Sequence, residues 1–342
     1  MLRRTCFAMF IILLLLGACT SVLETPTQEA QTQETEQSPP APTPETLVNV
    51  RLTMGYRPDV QFAPLYVATV NSHYTAAGLA VEFVHLPETE SVQLVGANEI
   101  QFAIVSGEQV LLARNQGLPI VYIMAWWQDN PIGVAAPSDG DIKSPEDLVG
   151  KNIGFPGQYA ASYIGLRALL HATGIAEDAI NLDPVGYTQV ESLISGREDA
   201  VVIYSNNEPV QLLALGMDVN VLRVADYIRL PGNGLITNEA TLRDHPELVR
   251  AMVEATLNGI RDTIADPDAA FEICGSFVET LAEADQEVQR QVLAESIKFW
   301  VADRLGFSEP EAWDNIQTVL LEMGLLDGPL DTSAAFSNEY LP

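Results

Sequence analysis

Apolar and polar positions along this chain alternate with two periods. Val48-Asn-Val-Arg-Leu-Thr-Met has the every-second-residue pattern of a half-buried strand. Leu65 to Ala77 follows with helical spacing, Ala80 to His85 reads as a strand and Val92 to Ala97 as a short helix. Phe102-Ala-Ile-Val predicts a strand, Gly107 to Gln116 a helix, and Ile120 to Trp127 a further strand. The pattern then restarts. Ile132 to Ala136, Asn152 to Phe155, Asn181 to Val185, Ala200 to Tyr204 and Asp218 to Arg223 are extended. Pro145 to Leu148 is a helical turn with Ser144 as its N-cap and Pro145 as its first residue. Ala161 to Ala172, Gln189 to Ser195 and Val210 to Leu215 are helices, the first stopped by Gly174. From Pro246 onward the chain is nearly all helical, with amphipathic segments at Glu247–Asp266, Glu287–Val301 and Glu311–Glu322.

Strands alternating with helices imply βαβ units and mainly parallel sheets. A body of about 295 residues lies near the size at which single cores stop growing. The expected architecture is therefore α/β, with two Rossmann-like lobes and a helical C-terminal tail. The chain is expected to cross between lobes at Ile132–Ala136 and again at Leu230–Thr237, where Pro231-Gly-Asn-Gly234 is turn chemistry. Lobe 1 is then residues 47–131 plus 235–342, and lobe 2 is residues 132–234. In open α/β sheets ligands bind beyond the carboxyl ends of the strands. Two such lobes face each other across a cleft that can close on a hinge.

The first 46 residues follow a different logic. Arg3 and Arg4 precede an apolar run from Phe7 to Leu16, then Leu16-Gly-Ala-Cys19. A basic start, a short apolar core and small residues at the cut make a secretory signal over residues 1–18. The run is shorter than the roughly 20 apolar residues that span a bilayer. The last four residues resemble the lipobox of bacterial lipoproteins, which implies a lipid-carrying Cys19 on the outer face of the cell membrane. Residues 19–46 are then the lipidated cysteine and a disordered tether of Thr, Gln, Glu and Pro, too polar to offset chain entropy by burial.

Composition narrows the partners. With 17 Lys and Arg against 46 Asp and Glu, the net charge is −29. Such a surface repels nucleic acid and argues mildly against a highly charged anionic ligand. Of three cysteines, Cys6 leaves with the signal and Cys19 carries lipid, so Cys274 has no intramolecular partner. It reads as a small buried hydrophobe. His73, His85, His171 and His245 are scattered without metal-ligand spacing, and no histidine falls in a candidate cleft loop. No cofactor and no metal are expected, and a monomer is.

Candidate ligand contacts sit at the strand ends. After the first strand come Tyr56, Gln61 and Phe62, with Tyr66 one helical turn on. Phe62 and Tyr66 are equally readable as core. Ser106 closes the third strand at a helix start, where free N–H groups suit a carbonyl or anion. Trp126 and Trp127 are adjacent, so a strand would send one to the cleft and the other to the core. Gln158, Tyr159 and Tyr163 lie in Pro156-Gly-Gln-Tyr-Ala-Ala-Ser-Tyr, which lacks the Gly-Lys-Ser/Thr ending of a phosphate loop. Tyr204, Asn206 and Glu208 end another strand. Glu208 is also readable as a helix N-terminal acid favoured by the helix dipole.

Five segments resemble, in order, bacterial extracellular solute-binding proteins of the NMT1/THI5-like family. They are Gly55-Tyr-Arg-Pro-Asp-Val-Gln-Phe-Ala-Pro-Leu-Tyr-Val-Ala68, Tyr74-Thr-Ala-Ala-Gly-Leu-Ala-Val81, Phe102-Ala-Ile-Val-Ser-Gly-Glu-Gln109, Ile142-Lys-Ser-Pro-Glu-Asp-Leu-Val-Gly-Lys-Asn-Ile-Gly154 and Val202-Ile-Tyr-Ser-Asn-Asn-Glu208. The resemblance implies a periplasmic-binding-protein type II fold and delivery of a small molecule to an ABC permease and its ATPase. In its pyrimidine-binding members a carboxylate at the place of Glu208 receives amino and ring N–H groups. Aromatic residues with amides and one carboxylate suit a flat neutral nitrogen-rich ring. That favours riboflavin, with a thiamine pyrimidine precursor such as formylaminopyrimidine as the alternative and a sulfonate or nitrate disfavoured. Family members that synthesise the pyrimidine use an active-site histidine and a cysteine-rich iron site, which this reading of the chain does not supply. If Cys19 carries the anchor, palmitate labelling marks the wild-type protein in its host and is lost in Cys19→Ser, which then leaves the membrane fraction.

Overall fold

A computed structural model describes residues 47–158 and 161–342. The lipid-carrying Cys19, the signal and the tether expected up to residue 46 lie outside the described residues, as does Tyr159, expected to contact ligand. Among the described residues, ten strands form two five-stranded sheets. The first sheet holds β1 (Val48–Met54), β2 (Leu79–His85), β3 (Phe102–Val105), β4 (Ile120–Ala125) and β10 (Gly234–Asn238). The second holds β5 (Ile132–Pro137), β6 (Asn152–Phe155), β7 (Asn181–Pro184), β8 (Ala200–Tyr204) and β9 (Val219–Arg223).

The two sheets repeat one topology, β2-β1-β3-β10-β4 and β7-β6-β8-β5-β9. The expectation of mainly parallel sheets holds for β1 with β2 and β3, and for β6 with β7 and β8. It fails at one strand per sheet. β10 pairs antiparallel with β3 and β4, and β5 antiparallel with β8 and β9. Each of these strands enters its sheet directly after the chain has crossed from the other, without a helix to turn it round. A parallel neighbour needs a crossover helix and an antiparallel one does not.

Burial explains most of the strand pattern. β3 and β4 are buried along their full length, as expected for strands covered on both faces. One face of the first sheet packs on helices Ala63–Val70, Pro246–Ala265 and Gln286–Trp300. Gly259 makes the closest of these contacts possible: a Cβ there would lie 2.1 Å from the Pro64 carbonyl oxygen. A second core runs through both sheets and is bridged by helix Pro310–Glu322, whose Trp313, Ile316, Val319 and Leu320 are buried in it.

Three sequence expectations need correction. The single helix Leu65–Ala77 is two, Ala63–Val70 and His73–Ala76, broken where Ser72 turns left-handed at φ 63°. The helix placed at Val92–Ala97 starts earlier, at Glu88, so Glu88 stands at a helix N-terminus. Helices Glu239–Asp244 and Pro267–Cys274 were not separated from their neighbours by pattern alone.

The crossings between sheets are held side by side. Trp126 N–H and Trp127 N–H both donate to the carbonyl of Asn233, at 2.9 and 3.0 Å. Tyr122 lies flat against Gly234, where a Cβ would come within 2.0 Å of its ring. β4 ends at Ala125, so the Trp126–Trp127 pair is outside the strand and the strand's two-face rule does not sort it. Trp127 stacks on Trp300 at 5.4 Å and Trp126 meets the same ring edge-on at 5.6 Å. Both are buried in the core rather than one being left for the cleft. Trp300 is fully buried between them. Trp300→Ala is expected to cost about 3–5 kcal/mol, read as a lower midpoint in denaturant unfolding followed by circular dichroism.

Candidate functional site

The carboxyl ends of β1, β2, β3 and β8 converge. The turn after β1 begins at Tyr56, which holds a left-handed backbone at φ 63°. Such a conformation costs about 1–3 kcal/mol for a residue with a Cβ and persists only where the surroundings impose it. Here His85 imposes it from the end of β2. Its Nδ1 lies 3.0 Å from the Tyr56 carbonyl oxygen, which only accepts, so Nδ1 carries the proton and donates. Burial lowers the pKa of this imidazole and favours its neutral form. His85 also meets Phe62 edge-on at 5.5 Å. A histidine therefore borders the strand-end loops from the end of β2, without lying in any of them.

Asp59 caps the next turn. Its Oδ1 accepts from Gln61 N at 3.1 Å and from Gln61 Nε2 at 3.2 Å. That leaves Gln61 Oε1 to accept from Asn206 Nδ2 at 2.8 Å, a buried bond from the first sheet's loop to the second's. Asn206 Nδ2 spends its other hydrogen on Ser296 Oγ at 2.9 Å, and Ser296 donates its own to the Val292 carbonyl at 2.7 Å. At the centre of this chain Asn206 Oδ1 is buried with no partner. An acceptor left so costs about 1–3 kcal/mol and is where a ligand N–H would be welcome.

Glu208, first residue of helix Glu208–Ala214, accepts from Tyr204 N at 2.9 Å. Burial, with the Asp59 carboxylate nearby, pushes its pKa up to about 7. Burial also raises Asp59. Tyr56 lies near Glu208, and the Arg57 guanidinium lies 5.3 Å over the Tyr56 ring. Deeper in, Ser106 bonds two carboxyl groups. Its N–H donates to Glu88 Oε2 at 3.0 Å, its hydroxyl touches the same oxygen, and the hydroxyl lies 2.6 Å from Glu108 Oε1. Asn233 Nδ2 donates to Glu88 Oε1 at 3.1 Å. The Tyr204 hydroxyl belongs to this group too, raised by burial and by Glu88 and Glu108 beside it.

Of the residues singled out from sequence, Tyr56, Gln61, Ser106, Tyr204, Asn206 and Glu208 come together here. Phe62 stands at the edge, against His85. Tyr66 stacks on Phe277 at 4.4 Å in the first core, the alternative its sequence position allowed. The Tyr163 hydroxyl is engaged by Glu177 and, at 3.3 Å, by Arg167. Gln158 is exposed. Asp59, Glu88, Glu108 and Asn233 were not singled out. Each stands at a strand end or crossing, where the strand-end rule applied to every strand would have found them. A surface cavity of about 700 Å³ lies instead among Arg261, Trp300, Arg304, Phe307 and Pro342, with none of these residues in its wall.

Two sheets of this paired topology, with polar groups gathered at their carboxyl ends, define the periplasmic-binding-protein type II class. Residues 59–270 match the model of the family described as NMT1/THI5 like, and the chain belongs to that family. It is 38% identical to the riboflavin-binding protein RibY of Chloroflexus aurantiacus, over 97% of this chain and 96% of that one. It is 28% identical to the formylaminopyrimidine-binding protein of Halalkalibacterium halodurans, covering 86% and 91%. The fold is shared with the aliphatic sulphonate binding protein SsuA of Escherichia coli, at TM-score 0.70 and 13% identity, covering 84% and 96%.

Glu208 supplies a pH test of the burial. Its raised pKa means that the stabilisation from its protonated form is complete below the ordinary 4.5 and lost as pH rises through about 7. The melting temperature is expected to fall more steeply across that window in the wild type than in Glu208→Gln, which has no proton to lose.

Proposed function

We propose that this chain is the capture component of an ABC importer, held on the outer face of the cell membrane by lipid on Cys19, and that its cargo is riboflavin. The observation that carries the reading is the junction of strand ends from two sheets, where Gln61, Asn206, Glu208 and Tyr204 combine amides, a carboxyl and an aromatic ring. These groups match a flat ring system bearing N–H donors and carbonyl acceptors. The site's carboxyl groups, with Arg57 as their neighbouring cation, oppose a sulfonate or nitrate. The likeness to a riboflavin-binding relative over nearly the whole chain supports the same cargo.

Formylaminopyrimidine is the second reading, favoured by Glu208 alone, whose carboxyl suits a single amino-pyrimidine edge. Binding rather than catalysis fits the chemistry of the candidate groups. Cys274 is buried, with its thiol pushed up to about 12, so it is a poor nucleophile. His85 spends its Nδ1 proton on a backbone carbonyl.

Titration of the purified protein with riboflavin is expected to quench flavin fluorescence at micromolar ligand. Glu208→Ala is expected to weaken binding tenfold or more, about 1.4 kcal/mol. An absence of quenching, together with tight binding of formylaminopyrimidine by calorimetry, would replace the first cargo with the second.

A further inference from the structure

Ser106 poses a proton problem. A serine hydroxyl has one hydrogen and can donate once. Ser106 Oγ nevertheless touches a carboxyl oxygen on either side, Glu88 Oε2 and, at 2.6 Å, Glu108 Oε1. Were both carboxyls ionised, one contact would press oxygen lone pairs together with no hydrogen between them. One carboxyl must hold a proton. The donors around the pair say which. Glu88 accepts from Ser106 N at 3.0 Å and Asn233 Nδ2 at 3.1 Å, groups that cannot accept in return. These bonds favour its charged form. Glu108 is 4% exposed, more deeply buried than Glu88, and its N–H donors are only its own backbone and the adjacent Gln109.

We propose that Glu108 is a carboxylic acid in the closed protein, donating to Ser106, which donates to an ionised Glu88, and that ligand capture is coupled to uptake of this proton. The order of bonds is Glu108 O–H to Ser106 Oγ, and Ser106 O–H to Glu88 Oε2. Glu88 then holds Asn233, whose carbonyl ties the two crossings between the sheets through Trp126 and Trp127. The protonated pair therefore bears on the hinge itself.

The coupling follows from what covers the pair. Glu88, Ser106 and Glu108 stand at the starts of the two helices that follow β2 and β3 of the first sheet, whereas the Tyr204 hydroxyl that lies beside them comes from the second sheet. Asp59, Tyr56, Arg57 and Glu208 complete the titratable and charged groups on the facing elements, and His85 stands on the strand leading to Glu88. Two of these, Asp59 and Glu208, are themselves acids raised by burial, so the surroundings supply little positive charge to hold a second anion. Burial and the neighbouring carboxyl push Glu88 up to about 7, and burial pushes Glu108 up. These values belong to the pair, which titrates as one unit. Opening the sheets apart readmits water, lowers the pair toward the ordinary 4.5 and releases the proton.

The sign is then fixed. The closed form binds the extra proton, so closure is favoured at low pH, and the advantage disappears as pH rises through the raised range of the pair. This rests on the proposed riboflavin site, and the experiment separates the two. Riboflavin affinity of the full chain is expected to weaken as pH rises above the ordinary 4.5, by up to tenfold per unit, and to level off once the closed pair has lost its proton. Calorimetry at about pH 6 in buffers of different ionisation heat is expected to show net proton uptake on binding. In Glu108→Gln a permanent amide donor faces Ser106, and its pH slope is expected to be shallower than the wild-type slope by up to tenfold per unit. Binding heats that do not depend on the buffer, or an undiminished slope in Glu108→Gln, would overturn the proposal. A ligand-free readout covers failure of the riboflavin reading. The infrared band of protonated carboxylic acids at about pH 6 is expected to lose one component in Glu108→Gln. An unchanged band sinks the shared proton whatever the cargo.

Discussion

The carbonyl of Asn233 takes two N–H groups, from Trp126 and Trp127, and the geometry of the cleft follows from that double bond. One residue of the returning crossing is thereby fixed to two residues of the outgoing one. Tyr122 packed on Gly234 allows no side chain to intrude, and the three-tryptophan stack with Trp300 fills the space beneath. The side chain of the same Asn233 reaches into the site and bonds Glu88. Scaffold and site are thus joined in a single residue.

What gathers at the strand ends is polar, acidic and poor in water. Asp59, Glu108 and Asn206 are buried, and Glu88 and Glu208 are half-buried. Such groups are tolerated only if hydrogen-bonded, and unpaired charge among them is removed by protonation instead. Both responses are visible. The chain Asn206–Gln61–Asp59 pairs its amide groups across the two sheets, and burial raises the carboxyls. The strand ends consequently present acceptors and carboxyls held above their ordinary range, with Arg57 as the neighbouring cation.

Much of this was legible along the chain. Strands β3, β5, β6 and β8 and the turn at Pro145–Leu148 fall within a residue of where their patterns put them, because each is a short buried run bounded by turn or capping residues. Ser144 and Asp147 form the capping box that such a turn calls for. Part of the polar cluster was also legible, since Tyr56, Gln61, Ser106, Tyr204, Asn206 and Glu208 were expected at strand ends and are found there. Glu88 was hidden by the helix that starts one turn before its apolar stripe does. Tyr66 and the Trp126–Trp127 pair looked like ligand contacts because an aromatic side chain suits a core and a cleft equally.

Local pattern settled the elements, their order and the split into two repeated α/β halves, since periodicity, caps and turns act over a few residues. The direction of β5 and β10, the stacking partner of Trp126 and Trp127, and the meeting of strand-end loops from the two sheets were decided only by the folded chain. All three depend on residues more than 50 positions apart meeting in space, as Asn206 meets Gln61 at |i−j| of 145, and no period along the sequence carries that distance.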